Sequence, residues 1–379
     1  MVRTMTSLRA LLSTARGTAR GTARGDRHAP PIGGLPADGL PPDRAVLLDA
    51  PDDRLAPALV AAALGDHEPA AGLLAATRGA AEWESRDRYV TRLAAFARGR
   101  DEWLTRWLLA APRDPDALLV KAELAVRRAW ECPARAERLR EVGPLIDAAA
   151  AASPRDPVPW RLALHHARGT GASHAAFETL WEQAVRRAAH HYGCHVAALK
   201  YLAAQRRGAR PGAGRPGAAH GAPAAHGPYG PSGSYGECFA FAEEAAADAL
   251  PGSLIRALPV RAAFDRMRAG DAGSVPVSRI DAAADLAAEL SARYAVGDPW
   301  PAEVRNVLAF VLIGRERWGA ALDQFRLIGP YATSFPWSSV SDDPLGRFLD
   351  ARAGVRLAAA SSVPPGGRAG RGRSGGHYA

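Results

Sequence analysis

The sequence predicts an all-α protein built from stacked antiparallel helical hairpins, and three observations support this fold class. Apolar residues recur with helical spacing over most of the chain. Strand-forming residues never alternate over a useful window, and no Asn-Gly or Asp-Gly turn joins two apolar runs. The phrase Pro-Arg-Asp-Pro occurs at 112–115 and again at 154–157, a period of 42 residues. Such a period is typical of α-solenoids, in which each hairpin buries the apolar face of its neighbour.

Residues 1–43 are predicted to be a disordered N-terminal extension. They are rich in glycine, proline and arginine and show no apolar helical face, so they cannot bury enough surface to offset the entropy lost on ordering. An arginine-rich targeting peptide in the first 25 residues is an alternative, whereas the apolar stretch from Leu8 to Leu12 is too short for a secretory signal.

Residues 44–204 are predicted to form a first helical-repeat region, with breaks at Pro112, Pro154 and Gly169. Its clearest helix begins at Ser173, which suits an N-cap. The apolar residues of this helix follow the i, i+3, i+4, i+7 spacing of one buried stripe. The stripe consists of Phe177, Leu180, Trp181, Ala184, Val185 and Ala188.

A further helical pattern, from Ala134 to Ala152, contains the pair Gly143-Pro144. Proline removes a backbone donor and crowds the preceding turn. The sequence therefore predicts either a kinked helix or two helices at this point.

Residues 205–235 are predicted to be a disordered insert, because glycine, proline, alanine, arginine and histidine dominate them. Such an insert is tolerated within a helical array since the cost of closing a loop grows only logarithmically with its length. Residues 236–360 continue the same array, and residues 361–379 form a disordered tail. One apolar stripe in this second region consists of Ile280, Ala284, Ala287, Leu290 and Tyr294.

The net charge of +9 is unevenly distributed along the chain. Residues 1–28, 205–236 and 354–379 together carry +13, so the remainder carries −4. The basic charge therefore belongs to low-complexity segments, and the helical core is not expected to bind nucleic acid. Non-specific nucleic-acid binding by the basic tails is one alternative function.

The three cysteines, Cys132, Cys194 and Cys238, form no C-x-x-C pair and no even-numbered framework. Free thiols of this kind favour a reducing compartment. No run approaches the roughly 18–20 apolar residues that span a bilayer. We therefore expect a cytoplasmic protein without a membrane segment.

One segment of the second region resembles a tetratricopeptide unit. It has a small residue on the first helix, an aromatic residue at the turn and the Ala-x-x-x-Phe pattern on the second helix. The matching residues are Ala309, Trp318, Ala321 and Phe325. Gly314 suits the short turn, and Pro330 ends the second helix three residues earlier than in the family.

The stretch 103–264 resembles a bacterial domain-of-unknown-function family of tetratricopeptide-like proteins. The resemblance rests on Trp130, the 153–157 junction before Trp160, Phe177, Trp181, the Tyr201-Leu202 helix and residues 238–242. The insert stands where that family has a short connection containing tryptophan and glycine. The resemblance implies a helical fold and no particular activity.

His191, Cys194 and His195 form the densest group of metal-ligating residue types. On a helix His191 and His195 lie four residues apart on one face, which is the spacing of zinc-binding helices. The glutamate of the H-E-x-x-H signature is missing, and Gly193 weakens a continuous helix. A polar helix–helix junction without metal is the other interpretation.

Nine tryptophans are many for an alanine-rich chain. Large rings fill the gaps that small alanine side chains leave between helices, as expected for Trp103 and Trp107. The functional interpretation is that Trp130 and Trp160 line a concave face and anchor a partner.

No nucleotide-binding or hydrolase motif occurs. The acidic pair Asp342-Asp343 precedes a helix expected from Leu345 to Ala358 and suits a cap. We therefore expect no enzyme, no catalytic residues and no cofactor. The leading prediction is a protein–protein interaction module for an unknown protein or peptide. The alternative is a metal-dependent enzyme or metal-responsive regulator that uses His191, Cys194 and His195.

Overall fold

A computed structural model describes residues 39–208, 235–270 and 275–362. Within these ranges nearly all of the secondary structure is helical, so the predicted all-α class is confirmed. The extension predicted up to residue 38, the insert from 209 to 234 and the tail from 363 lie outside the described residues.

The described residues form sixteen α-helices, two short 3-10 helices and two strands of two residues each. The first eight α-helices are α1 (Ala56–Ala63), α2 (Glu68–Gly79), α3 (Trp83–Ala97), α4 (Glu102–Ala110), α5 (Pro115–Glu131), α6 (Arg135–Ala152), α7 (Val158–Thr170) and α8 (His174–Arg187). The others are α9 (Tyr192–Gly208), α10 (Tyr235–Asp248), α11 (Leu258–Arg268), α12 (Val277–Ser291), α13 (Ala302–Gly314), α14 (Trp318–Ile328), α15 (Ser334–Trp337) and α16 (Pro344–Ser362). The 3-10 helices are Asp43–Ala45 and Leu254–Ala257, and the strands are β1 (Leu47–Leu48) and β2 (Tyr331–Ala332).

Helix packing follows a regular order along the chain. From α1 to α14 each helix packs against the next, and α3, α5, α7, α9, α11 and α13 also pack directly on one another. Among the described residues, the even-numbered helices from α4 to α12 make few such contacts with each other. The odd-numbered helices therefore form a continuous layer, and the even-numbered helices lie outside it.

Two groups of buried apolar side chains form the core. The first lies between residues 55 and 162 and includes Trp103 and Trp107, both completely buried as expected for space-filling rings. The second consists of Leu40, Val46 and residues between 164 and 355, and it includes Trp181 and Trp337. Helix α7 contributes to both groups and so joins the two halves of the protein.

The Pro-Arg-Asp-Pro repeat is a helix start at both positions. Asp114 caps α5, because its Oδ1 accepts hydrogen bonds from the amides of residues 116 and 117. Asp156 precedes α7, and its Oδ1 accepts from the amide of Val158 at 2.9 Å. Pro115 is the first residue of α5, and Pro157 directly precedes α7. The missing N–H of proline costs little at these positions because no helical hydrogen bond needs it there.

Other local predictions concern single helices. Ser173 caps α8 through its hydroxyl, which accepts from the amide of Ala176 at 3.3 Å. Asp343 accepts from the amide of Gly346 at 2.9 Å, so the predicted capping role is confirmed. Helix α6 continues through Pro144 as one element, so this segment is a single helix and not two helices.

Residues 39–49 cross to the other end of the helical array. Leu40, which the sequence analysis placed in the N-terminal extension, is 2% exposed and belongs to the second core group. Strand β1 pairs in parallel with β2, and the carboxylate of Asp49 binds the amide and hydroxyl of Ser334. These strands escaped prediction because two residues are too few to show an alternating pattern.

The described helices include none that is both long and apolar enough to cross a membrane. The three cysteines are free, and Cys194 and Cys238 are buried.

Candidate binding site on the inner helices

Charged residues recur on one side of the odd-numbered helices from α3 to α13. On α7 they are Arg161, His165 and Arg168. On α5 they are Glu123 and Arg127, and Trp130 follows Arg127 by three residues. Residues at i, i+4 and i+7 lie on the same face of an α-helix. Each of these helices therefore has a polar stripe on a different side from its apolar residues.

We define the inner face as the polar side chains that these stripes bring into contact or electrostatic range. They are Glu84, Asp87 and Arg88 of α3, Glu123 and Arg127 of α5, Arg161, His165 and Arg168 of α7, Tyr192 and Lys200 of α9, Arg261 and Asp265 of α11, and Glu303 of α13.

Arg161 connects three of the inner helices. Its Nη2 lies 2.7 Å from Asp87 Oδ1 and 2.7 Å from Glu123 Oε2. Glu123 in turn accepts a hydrogen bond from Arg127 at 2.8 Å. Burial alone would lower the pKa of Arg161, but the two carboxylates outweigh it and raise that pKa. This part of the inner face is a charge-balanced and largely buried cluster.

The opposite part of the inner face is more open. Arg261 donates to Glu303 Oε1 at 2.6 Å and also interacts with the hydroxyl of Tyr192. The Glu303 side chain is nevertheless 47% exposed. Burial raises the pKa of Glu303, but Arg261 and Lys200 outweigh it, so the pKa is lowered. Glu303 is therefore a carboxylate that water reaches although protein surrounds it.

Arg88 joins the first of the inner helices to the last. Its guanidinium donates to the carbonyls of Pro299 and Trp300 at 3.2 and 2.6 Å, and its Cζ lies 4.2 Å from the Trp300 ring centroid. These residues directly precede α13, so α3 and α13 approach each other across more than 200 residues of sequence. Together with the β1–β2 pair, this contact brings the two ends of the helical array together.

Trp130 and Trp160, the predicted anchors, lie in different places. Trp130 lies at the edge of the inner face, where its ring stacks on His165 at 4.7 Å and lies under Arg168 at 4.2 Å. Gly169 allows this approach, because a Cβ there would meet the Trp130 ring at 2.8 Å. Trp160 precedes Arg161 by one residue, about 100° around the helix, and its ring lies under Arg187. Only Trp130 is therefore connected with the inner face.

His191, Cys194 and His195 do not converge on one point. His191 Nδ1 lies 3.2 Å from Cys194 Sγ. The Nδ1 of His195 instead pairs with the carbonyl of His191 at 3.0 Å, and its ring packs against Trp181. Over the described part of the chain, no group of three or more histidine, cysteine or acidic residues is arranged to hold a metal ion. The geometry therefore gives the metal alternative no support.

A cleft of about 420 Å³ lies at the second Pro-Arg-Asp-Pro junction. It is lined by Arg78, Gly79, Ala81, Trp83, Ala152, Ser153, Pro154 and Arg155. Arg78 is held by Asp116 through two hydrogen bonds of 3.1 and 3.2 Å. None of the residues that define the inner face lines this cleft.

Most residues of the inner face are not predictable from the sequence. Its members are common residue types, and no motif connects them. The sequence does contain one signal for them, because polar residues recur at i, i+4 and i+7 on these helices as apolar residues do.

Comparison with known proteins gives no match: no family model, no curated protein and no solved structure is similar to this chain.

Proposed function

We propose that this protein is a helical-repeat binding module, in which tetratricopeptide-like antiparallel hairpins stack into an α-solenoid and the inner face holds a segment of a protein partner. The direct packing among odd-numbered helices supports a repeated two-helix unit. The unit that resembles a tetratricopeptide supports it as well, since Ala309, Ala321 and Phe325 are all completely buried between α13 and α14.

The observation that carries the proposal is the inner face itself. Six successive odd-numbered helices direct charged side chains to a common region, and Glu84, Arg88, Lys200 and Glu303 keep part of their surface open to water. Burying charges without complete pairing is costly. A surface of this kind is therefore explained better by binding than by stability.

A peptide segment fits the chemistry of the inner face. A peptide offers carbonyl acceptors and amide donors along its length together with charged side chains, and the inner face carries both signs of charge. Trp130 adds an aromatic surface at the edge, beside His165.

The proposal is tested by photo-crosslinking in lysate of the native host. A photoreactive phenylalanine derivative replaces Glu303 on the inner face and, in a matched control, Glu289, which is an exposed glutamate on α12. We expect one reproducible crosslinked partner from position 303 and none of the same mass from position 289. Equal crosslinking from both positions would contradict the proposal. Trp130→Ala should reduce the yield at position 303, and Trp160→Ala should leave it unchanged.

A further inference from the structure

Trp83 differs from the other eight tryptophans of the chain. Within the described ranges, each of those eight belongs to one of the two core groups or packs against it, whereas Trp83 does neither. Its side chain is half-buried, and its indole N–H makes no hydrogen bond with the described residues. Trp83 instead lines the cleft at the second Pro-Arg-Asp-Pro junction. Packing of the core therefore does not explain this ring.

The cleft lies between two junctions of helices. The α2–α3 junction supplies Arg78, Gly79, Ala81 and Trp83, and the α6–α7 junction supplies residues 152–155. The volume of about 420 Å³ falls within the range of roughly 300–1,000 Å³ that is usual for small-molecule sites. The cleft therefore has room for one small ligand beside the Trp83 ring.

Two buried carboxylates near the cleft already have cationic partners. Asp116 accepts hydrogen bonds from Arg78 at 3.1 and 3.2 Å and from Arg86 at 2.7 Å. Asp156 accepts from Arg86 at 2.6 Å. These two carboxylates and two guanidinium groups balance one another in charge.

Arg155 has no such partner. It is exposed, and it makes no hydrogen bond and no ion pair with the described residues. Two further acidic residues adjoin Trp83 in the chain, but Glu82 pairs with Arg54, and Glu84 accepts from the amide of Tyr192. No acidic residue is among the described residues that line the cleft. The cleft therefore has an excess of positive charge, which Arg155 carries.

We propose that this cleft binds a small aromatic carboxylate, whose ring stacks on Trp83 and whose carboxylate pairs with Arg155. Aromatic rings favour offset stacking, and a guanidinium group forms two parallel hydrogen bonds with a carboxylate. The ligand is either a free acid or the C-terminal aromatic residue of a peptide, because both carry a ring and a carboxylate. This site goes beyond the proposed function, which concerns the inner face.

The indole N–H groups provide the measurement. The full chain is labelled with nitrogen-15 in its tryptophan indoles, and Trp83→Phe identifies the Trp83 signal. The protein is titrated with phenylacetate and, separately, with N-acetylglycylphenylalanine, each at an ionic strength matched with chloride. Acetate lacks the ring and phenylacetamide lacks the charge, so these two compounds are the control ligands.

We expect the Trp83 signal to move with saturation, at the millimolar concentrations usual for a ligand of so few atoms, and the Trp160 signal to stay in place. A response to phenylacetate identifies a free acid as sufficient, and a response to the peptide alone identifies a peptide terminus. The proposal is overturned if neither moves the Trp83 signal further than chloride does. It is also overturned if acetate or phenylacetamide acts equally well.

The repeat supplies a matched pair of variants for the charge. Arg155 and Arg113 occupy the same position in the two copies of Pro-Arg-Asp-Pro, and both are exposed, but only Arg155 lines the cleft. Arg155→Gln should weaken the ligand about tenfold or more, as expected when a hydrogen bond between charged groups is lost. Arg113→Gln should leave the affinity unchanged. Equal affinities of the two variants would overturn the pairing with Arg155.

Helix α2 supplies a second pair of variants, for the space in the cleft. Gly79 lines the cleft and Gly72 does not, and a Cβ at either position would meet no atom within 4 Å. Glutamate favours a helix over glycine, so both substitutions should preserve the fold. Gly79→Glu places a carboxylate in the cleft and should abolish saturation, whereas Gly72→Glu should not. Binding that survives Gly79→Glu would place the ligand elsewhere.

The results separate this site from the proposed function. Crosslinking from position 303 without any response of Trp83 would leave the binding module and reject the aromatic carboxylate site. A saturating response of Trp83 without crosslinking would show the site in the cleft and reject the protein partner on the inner face.

Discussion

Two completely buried arginines, one in the first half of the chain and one in the second, have different kinds of partner. Arg86 of α3 is completely buried, and its guanidinium binds Asp156 at 2.6 Å, Asp116 at 2.7 Å and the carbonyl of Leu74 at 2.9 Å. Arg305 of α13 is also completely buried, but all its acceptors are uncharged. They are the Ser291 hydroxyl and the carbonyls of Ser291, Tyr294, Ala295 and Leu327, at 2.8–3.0 Å.

The difference shows two ways of using a buried guanidinium. Arg86 neutralises two carboxylates at the starts of α5 and α7, so the charges fix the relative positions of three helices. Arg305 donates to carbonyls around the end of α12 and the end of α14, where the carbonyls of Ser291, Ala295 and Leu327 also accept from backbone amides. Burial lowers the pKa of Arg305 to about 10, so the group stays protonated at neutral pH.

The largest expected effect is that of Arg86→Met. Removing Arg86 leaves buried Asp156 without a counter-ion and leaves Asp116 with Arg78 alone, and an unpaired buried charge is costly. We expect the free energy of unfolding to fall by about 3–5 kcal/mol, measured by urea denaturation. Arg98→Met is the control, because its ion pair with Glu131 is exposed on both sides and is worth at most about 1 kcal/mol. Equal effects of the two substitutions would show that the Arg86 cluster does not fix the helices.

Arg305→Met should cost less than Arg86→Met. It removes five hydrogen bonds, but it leaves neutral carbonyls rather than buried charges, and some of these can rebind water. We expect a loss of about 2–3 kcal/mol in the same urea experiment. A loss larger than that of Arg86→Met would reverse the comparison. It would show that the hydrogen bonds from Arg305 to neutral carbonyls stabilise the fold more than the ion pairs of Arg86.

The two aspartates of the Pro-Arg-Asp-Pro repeat allow a finer test. Both cap a helix through Oδ1, but only Asp156 also accepts from Arg86. Asparagine caps helices as well as aspartate does. Asp156→Asn should therefore cost about 2 kcal/mol through the charged hydrogen bond, and Asp114→Asn less than about 0.5 kcal/mol. Similar costs at the two positions would show that capping is the only role of the repeat.

The same repeat shows how far the sequence could predict the molecule. The period, the proline breaks and the helix caps are local, and local patterns predicted the all-α class together with caps such as Ser173 and Asp343. The repeat did not reveal that Asp156 pairs with Arg86, which lies 70 residues earlier in the chain. That pairing depends on the register between helices, which a period does not contain.

The inner face escaped prediction for the same reason. Arg88 and Trp300 are 212 residues apart, and nothing in either local sequence indicates the other. The size of its aromatic ring predicts Trp130 as an anchor, but its contact with His165 follows from the close approach that Gly169 permits. The same reasoning predicts Trp160, whose ring lies beside Arg187 instead.

The last expected effect is a pH dependence, and it contrasts a buried histidine whose pKa is raised with a lysine whose pKa is lowered. Burial lowers the pKa of His191, but Cys194 and Glu84 outweigh it and raise the pKa to about 10. The pKa of Lys200 is lowered to about 7. The folded state thus binds the His191 proton more tightly than the unfolded state, and the Lys200 proton less tightly. Between pH 7 and 10 the His191 contribution to stability falls as pH rises, and the Lys200 contribution rises.

These opposite slopes partly cancel in the natural protein, so single substitutions should expose them. From pH 7.5 to 9.5, the free energy of unfolding of His191→Gln should rise with pH relative to the natural protein, and that of Lys200→Met should fall. Each relative slope is at most about 1.4 kcal/mol per pH unit. Urea denaturation at several pH values measures them, and Lys121→Met, at an exposed site, should leave the slope unchanged. Slopes of the same sign in the two variants would show that His191 and Lys200 lie in similar electrostatic surroundings, because only opposite shifts of pKa produce opposite slopes.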